Sequence, residues 1–293
     1  MTTVSAEFEM PLPGDRRCVV RLAVPPGLMP SGGWPVAYVL DLNQFDTMRR
    51  VAGADGLPGI LVGMAPQVPA QRVWDYTPRY WRQPLVADDT VDVQAPMGPA
   101  GFQGPGPLPA GVQAGAANWL HALDQVRARV AGDFRLDPRR QVLAGHSLGA
   151  LFALYVLLHR PQAFEGYVLS SPSVWWGQGY ARRLVRRRLG WLERQGLPGL
   201  GLSLTVGEYE QGLSPAEISL GAEERERQLL KRQRRAMVDG VQALADDLAG
   251  CPDLRLRHVV LSGHIHRTAP QDALAAGWRW LLDSEDRGSA SMP

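Results

Sequence analysis

Ser147 stands between two glycines in Gly145-His146-Ser147-Leu148-Gly149, with an apolar run on each side. Such spacing suits a nucleophile carried on a turn so tight that its neighbours two residues away must lack side chains. A serine hydroxyl reacts slowly alone; it needs a base to take its proton and a carboxylate to orient that base. Both types follow downstream. "TVGEYEQG" supplies Glu208 and Glu210, and "SGHIHRTAP" supplies His264 and His266. The chain order serine, acid, histidine is one in which such triads occur. Glu210, three residues past Gly207 and deeper in its loop, is the preferred acid, and either loop histidine can serve as base. His159 at a helix end and His258 inside a strand read as structural. The oxyanion of an acyl-transfer intermediate needs two backbone donors. Leu148 supplies one, and the loop after "PVAYVL" supplies the other from Leu42 or Asn43, with Leu42 preferred.

These residues must be held by a scaffold, and the apolar pattern describes one. Seven short runs rich in β-branched residues read as buried strands: those beginning at Cys18, Pro35, Gly59, Gln141, Gly166, Gly201 and Leu254. "LFALYVLL" after Ser147 reads as a helix whose N-terminal amides and dipole favour developing negative charge. Trp119, Leu123, Val126 and Val130 form one apolar helical face, and Met237, Val241, Leu244 and Leu248 form another. Strands alternating with helices imply an α/β fold with a mostly parallel sheet covered on both faces. Residues 86–115, rich in Gly and Pro and without period, read as a long loop that could cover a site. The strand series on its two sides belongs to one sheet, so residues 1–293 read as a single domain.

Composition narrows the function classes. The chain has 293 residues, 45% hydrophobic and 20% charged, with a net charge of +2. That near-balance gives no electrostatic drive toward nucleic acid. No apolar run is long enough to span a bilayer and the N-terminus lacks a signal-peptide core, so a cytoplasmic protein without membrane contact is expected. Cys18 and Cys251 allow one disulfide at most, and no cluster has metal-ligand spacing, so neither a metal nor a cofactor is expected. Oligomeric state is left open between monomer and homodimer. The arginines at 182, 183, 186, 187 and 188 read as the solvated face of a helix.

The segments "YVLDLNQF", "RVWDYTPRYW", "GHSLGALFALYVL", "SPSVWW", "TVGEYE" and "RRAMVDGVQALADDLA" occur in this order. Together they resemble the bacterial siderophore esterases of the enterobactin, salmochelin and bacillibactin type, within the esterase-D-like group of α/β hydrolases. The resemblance spans roughly residues 17 to 283. It implies an α/β-hydrolase fold and hydrolysis of ester bonds in a ferric siderophore or a similar trilactone, in the service of iron acquisition. Gly263, His266, Thr268 and Pro270 resemble the family's histidine loop, which favours His266 over His264. Arg72 would contact substrate oxygens, or else pair with Asp75. Trp175 and Trp176 would line the pocket, or else pack as core and rim. The family often has a glycine where Leu42 stands and a second arginine where Trp74 stands, which implies an altered oxyanion loop and a weaker grip on an anionic substrate.

The leading reading is thus a serine esterase working by Ser147, His266 and Glu210 through an acyl-enzyme. A general carboxylesterase or thioesterase on another small ester is the alternative, because a fold does not fix its substrate. A non-catalytic binder of the same fold is a third.

Overall fold

The computed structural model describes residues 4–54, 56–78, 115–197, 199–251 and 253–283. The segment 86–115 expected to form a covering loop lies, apart from its last residue, outside the described residues.

Eight strands form one sheet: β1 (Ala6–Leu12), β2 (Arg16–Ala23), β3 (Trp34–Leu40), β4 (Ile60–Pro66), β5 (Leu136–His146), β6 (Gly166–Ser170), β7 (Gly201–Gly207) and β8 (Arg255–Leu261). Their spatial order is β1-β2-β4-β3-β5-β6-β7-β8. The pairs β1/β2 and β2/β4 are antiparallel, and every pair from β4 through β8 is parallel. Order and sense together are those of an α/β-hydrolase sheet, in agreement with the sequence reading. The seven expected strands all form. The eighth, β1, was not anticipated. Its sequence AEFEMPL mixes charge and proline into the run and is largely exposed, which suits an edge strand and hides it from an apolar-run search.

The inner strands are apolar throughout because helices cover both faces. On one face lie α3 (Ala116–Asp133), α4 (Leu148–His159), α5 (Trp176–Gln195) and α7 (Met237–Leu248). On the other lie α1 (Leu42–Ala54) and α8 (Ala269–Asp283). The two expected helical faces are buried as read: Trp119, Leu123, Val126 and Val130 on α3, and Met237, Val241, Leu244 and Leu248 on α7. α4 is apolar on nearly every side, since it packs against both the sheet and α5. The short helix α2 (Arg72–Asp75) follows β4, and α6 (Ala222–Arg235) precedes α7. Ala236 breaks the joint between α6 and α7 with φ 44° and ψ 49°, so "RRAMVDGVQALADDLA" spans two helices rather than one.

Cys18 and Cys251 are both free and buried, so the disulfide that the sequence allowed is not formed. Arg182 and Arg186 are not merely solvated: both bond Asp247 and tie α5 to α7. Among the described residues, no helix is long and apolar enough to cross a membrane.

The parallel strands β3, β5, β6, β7 and β8 all end at one edge of the sheet. The loops leaving that edge carry Asp41, Ser147, Ser171, Glu210 and His266. In open α/β sheets this carboxyl edge is where ligands bind.

Candidate active site

β5 ends in Gly145-His146, and Ser147 turns the chain into α4 with φ 58° and ψ −118°. Positive φ on a residue with a Cβ costs of order 1–3 kcal/mol and persists only where the surroundings fix it. Three backbone contacts do so. The Ser147 amide donates to Ser170 O at 3.0 Å, and the Ser147 carbonyl accepts from the Leu151 and Ser173 amides. A Cβ at Gly145 would sit 2.5 Å from the Gly149 carbonyl carbon, and one at Gly149 would sit 3.1 Å from Leu40 Cβ. Gly145 is therefore a steric requirement of the turn and Gly149 a tighter than ordinary fit, and the serine is 8% exposed at the apex.

The histidine arrives from the loop after β8. Gly263 takes φ 76°, the Tyr209 amide donates to His264 O at 2.9 Å, and the Glu208 carboxylate accepts from the Gly263 amide at 2.7 Å and from Ser262 Oγ. Glu208 thus ties the histidine loop to the loop after β7. His264 bonds Thr268 Oγ1 and Asp272 through its two ring nitrogens, so both are engaged outside the Ser147 and Glu210 contacts. His266 Nδ1 donates to Glu210 Oε2 at 2.6 Å. Glu210 is 3% exposed, and its other oxygen accepts from Ser171 Oγ and from the Gly207 amide. Burial is the largest influence on this carboxyl and raises its pKa. The charge of His266 and hydrogen bonds from His266, Ser171 and Gly207 outweigh it and hold the pKa below the ordinary value. An ionised carboxylate can only accept, so the His266 proton sits on Nδ1 and leaves Nε2 as a base.

The His266 ring lies against His146, the residue before the serine, with centroids 4.4 Å apart. His146 is buried, bonds Ser170 Oγ, and has its pKa pushed well below 6.5, by burial first and by the charges of His266 and Arg72 next. Among the described residues, Ser147 Oγ bonds Ser173 Oγ at 3.1 Å and makes no hydrogen bond to His266.

Leu148 and Leu42 are the first residues of α4 and α1, so helix geometry gives their amides no intrahelical acceptor. The two helix starts touch, since the space beside Gly149 is bounded by Leu40 and by Asp41 Oδ2.

A cavity of about 310 Å³ opens beside His266 and Glu210. Trp175 forms part of its wall, with the Arg235 guanidinium 4.6 Å over the indole ring; Lys231 and Arg232 also line it. Arg232 grips Glu217 through both terminal nitrogens, which pulls that carboxyl down to about 2. Trp176 is 4% exposed and packs edge-on against Tyr180. Its expected place in the pocket is corrected: the indole belongs to the core, because the first turn of α5 points it inward. The expected pairing of Arg72 with Asp75 does not form. Arg72 bonds Asp41 Oδ2 at 2.6 Å, while Asp75 pairs with the buried Arg16. Ser171, Ser173 and the Asp41 contacts carry no motif that the sequence would reveal. Only "SSPS" directly after a strand hinted at the two serines.

Comparison with known proteins places the chain in a family. The model of the family described as putative esterase matches residues 85–241, more than half of the chain. The chain belongs to the putative esterase family. It is 28% identical over 192 residues to the ferri-bacillibactin esterase of Bacillus subtilis, an alignment spanning 62% of each chain and thus under two thirds of that relative's length. It is 32% identical over 114 residues to the siderophore enterobactin esterase of Emericella nidulans, covering 39% of this esterase-family chain and 37% of the relative. Among solved structures, the BES protein from Bacillus cereus aligns with TM-score 0.67 and 25% identity over 96% of this chain and 97% of that one. The siderophore hydrolase EstA from Aspergillus nidulans shares the fold with TM-score 0.72 at 22% identity, over 95% and 94% of the two chains.

Proposed function

We infer that this chain is a serine ester hydrolase whose substrate is an ester of a ferric siderophore. The bond between buried Glu210 and His266, with the His266 ring against the residue before Ser147, is the observation that carries the reading. Ser147 Oγ attacks the ester carbonyl carbon while His266 Nε2 takes the hydroxyl proton. Glu210 stabilises the imidazolium, and the Leu148 and Leu42 amides receive the oxyanion. The alkoxide leaves with the proton returned by His266, giving an acyl-enzyme. Water, deprotonated by His266, then attacks the acyl carbon and releases the acid and free Ser147.

The substrate class rests on the family relatives, whose names are those of siderophore esterases, and on the wall beside His266. Arg235 stacked on Trp175 suits an anionic aromatic group, by charge and by ring contact. A cytoplasmic location fits a substrate delivered as an intact ferric complex. One observation favours a general carboxylesterase instead: Arg72 spends its charge on Asp41 rather than on the substrate space.

Ser147→Ala is expected to abolish hydrolysis of p-nitrophenyl butyrate, and retained turnover would sink the reading. A fluorophosphonate probe should label wild-type Ser147; an unlabelled serine points to a non-catalytic binder. A kcat/KM for a ferric catecholate trilactone well above that for the aryl ester supports the siderophore assignment, and the reverse order supports the general carboxylesterase.

A further inference from the structure

The loop between β3 and α1 holds a residue in a conformation that its side chain alone does not favour. Asp41 has φ 75° and a Cβ, and every polar group on it is engaged. Its amide donates to Met64 O of β4 at 2.9 Å, and its carbonyl accepts from the Gln44 and Phe45 amides in the first turn of α1. Its carboxylate accepts from Arg72 Nη2 at 2.6 Å on one oxygen and from Tyr76 Oη at 3.0 Å on the other. Both donors come from the region of α2, which is anchored to β2 by the buried pair of Arg16 and Asp75. Tyr76 is fully buried, with its ring against Trp119 and Phe152. Burial and the Asp41 charge push its phenol well above the ordinary value, so it stays protonated and can only donate here.

We propose that Asp41 is a positioning residue for the oxyanion site, and that Arg72 and Tyr76 act through it by fixing the direction of the following amide, that of Leu42. The deciding relationship is adjacency. Leu42 N belongs to the peptide that Asp41 begins, so the Asp41 backbone angles set where that N–H points. Asp41 Oδ2 also borders the space beside Gly149 in the first turn of α4, so the clamp sets the spacing of the two helix starts that supply the donors. An oxyanion donor helps only if its direction is fixed before the charge develops. A left-handed aspartate held solely by its backbone would relax, and the two side chains of Arg72 and Tyr76 prevent that. Arg72 therefore governs the chemical step rather than substrate capture.

This proposal rests on the serine-hydrolase reading, and the experiment separates the two. Wild type, Asp41→Asn and Tyr76→Phe are assayed on p-nitrophenyl acetate, with the active fraction of each counted by fluorophosphonate titration. Inhibition by phenylboronic acid, whose tetrahedral adduct mimics the oxyanion, is measured alongside. Tyr76→Phe removes one hydroxyl and keeps the buried ring, so it folds even if Asp41→Asn does not. The expected result is a kcat per active site reduced by about 10- to 100-fold in either variant, with KM within about twofold and a boronate Ki raised in parallel. A merely structural role would lower the active fraction or the Tm and leave kcat per titrated site and boronate affinity unchanged. That outcome, or a loss confined to KM, overturns the proposal while the esterase reading stands. A wild-type chain that neither turns over the ester nor takes the probe overturns both.

Discussion

Glu210 reaches His266 Nδ1 at 2.6 Å from a site that is 3% exposed, and Ser171 and Gly207 fill its second oxygen. The carboxylate is fixed by burial and by these two donors, so the imidazole is aimed by a group that is itself aimed. Glu210→Gln keeps the size but loses the charge, and its amide can present an N–H to Nδ1 and select the wrong tautomer. The kcat for an aryl ester should fall by about 10²- to 10⁴-fold. Glu208→Gln, which touches only the backbone and Ser262 of the histidine loop, should cost less than about tenfold. Steady-state rates of the two variants, normalised to active sites, check the difference.

Ser147 Oγ is bonded to Ser173 Oγ. Ser173→Ala removes that competitor for the nucleophile. A neutral hydrogen bond is worth about 1 kcal/mol net, so acylation should speed up by as much as about fivefold, with KM unchanged. A pre-steady-state burst with p-nitrophenyl acetate reads this directly. A large loss instead would assign Ser173 a part in catalysis.

The elbow glycines should differ in tolerance. At Gly145 a methyl group would meet backbone 2.5 Å away, and backbone cannot yield cheaply. Gly145→Ala should cost about 2 kcal/mol or more and most of the activity. At Gly149 the nearest atom is the Leu40 side chain at 3.1 Å, so Gly149→Ala should cost about 1 kcal/mol and shift α4 only slightly. Chemical denaturation and Ser147 labelling together check both.

Stability should fall on the acid side. His146 is held neutral by burial, with its folded pKa well below 6.5. The unfolded chain takes a proton that the folded chain refuses, so this contribution is full above 6.5 and shrinks as pH drops from there. Glu210, held below 4.5, adds a second loss as pH falls through and beneath that value. Asp75, which burial pushes up to about 7, acts with the opposite sign and blunts the slope between. A Tm-versus-pH series should show His146→Gln gaining on the wild type as pH falls below 6.5, with the wild-type decline held off by Asp75 until Glu210 adds its loss beneath 4.5. An identical slope in that variant would show that His146 does not carry it.

The chain alone was enough for the turn that carries Ser147, because its signals are local: an apolar strand, two glycines at fixed spacing and an apolar helix. It was likewise enough for the parallel sheet, since strands buried on both faces are written as apolar runs with helical periods between them. β1 escaped because an exposed edge strand leaves no such run. The bond that joins Glu210 to His266, the coupling of Asp41 to Arg72 and Tyr76, and the inward turn of Trp176 came only with the tertiary structure. Glu210 and His266 are separated by 56 positions and Asp41 and Tyr76 by 35. A hydrogen bond depends on direction within tenths of an ångström, and no pattern along a chain encodes direction between segments that meet only when the sheet is assembled.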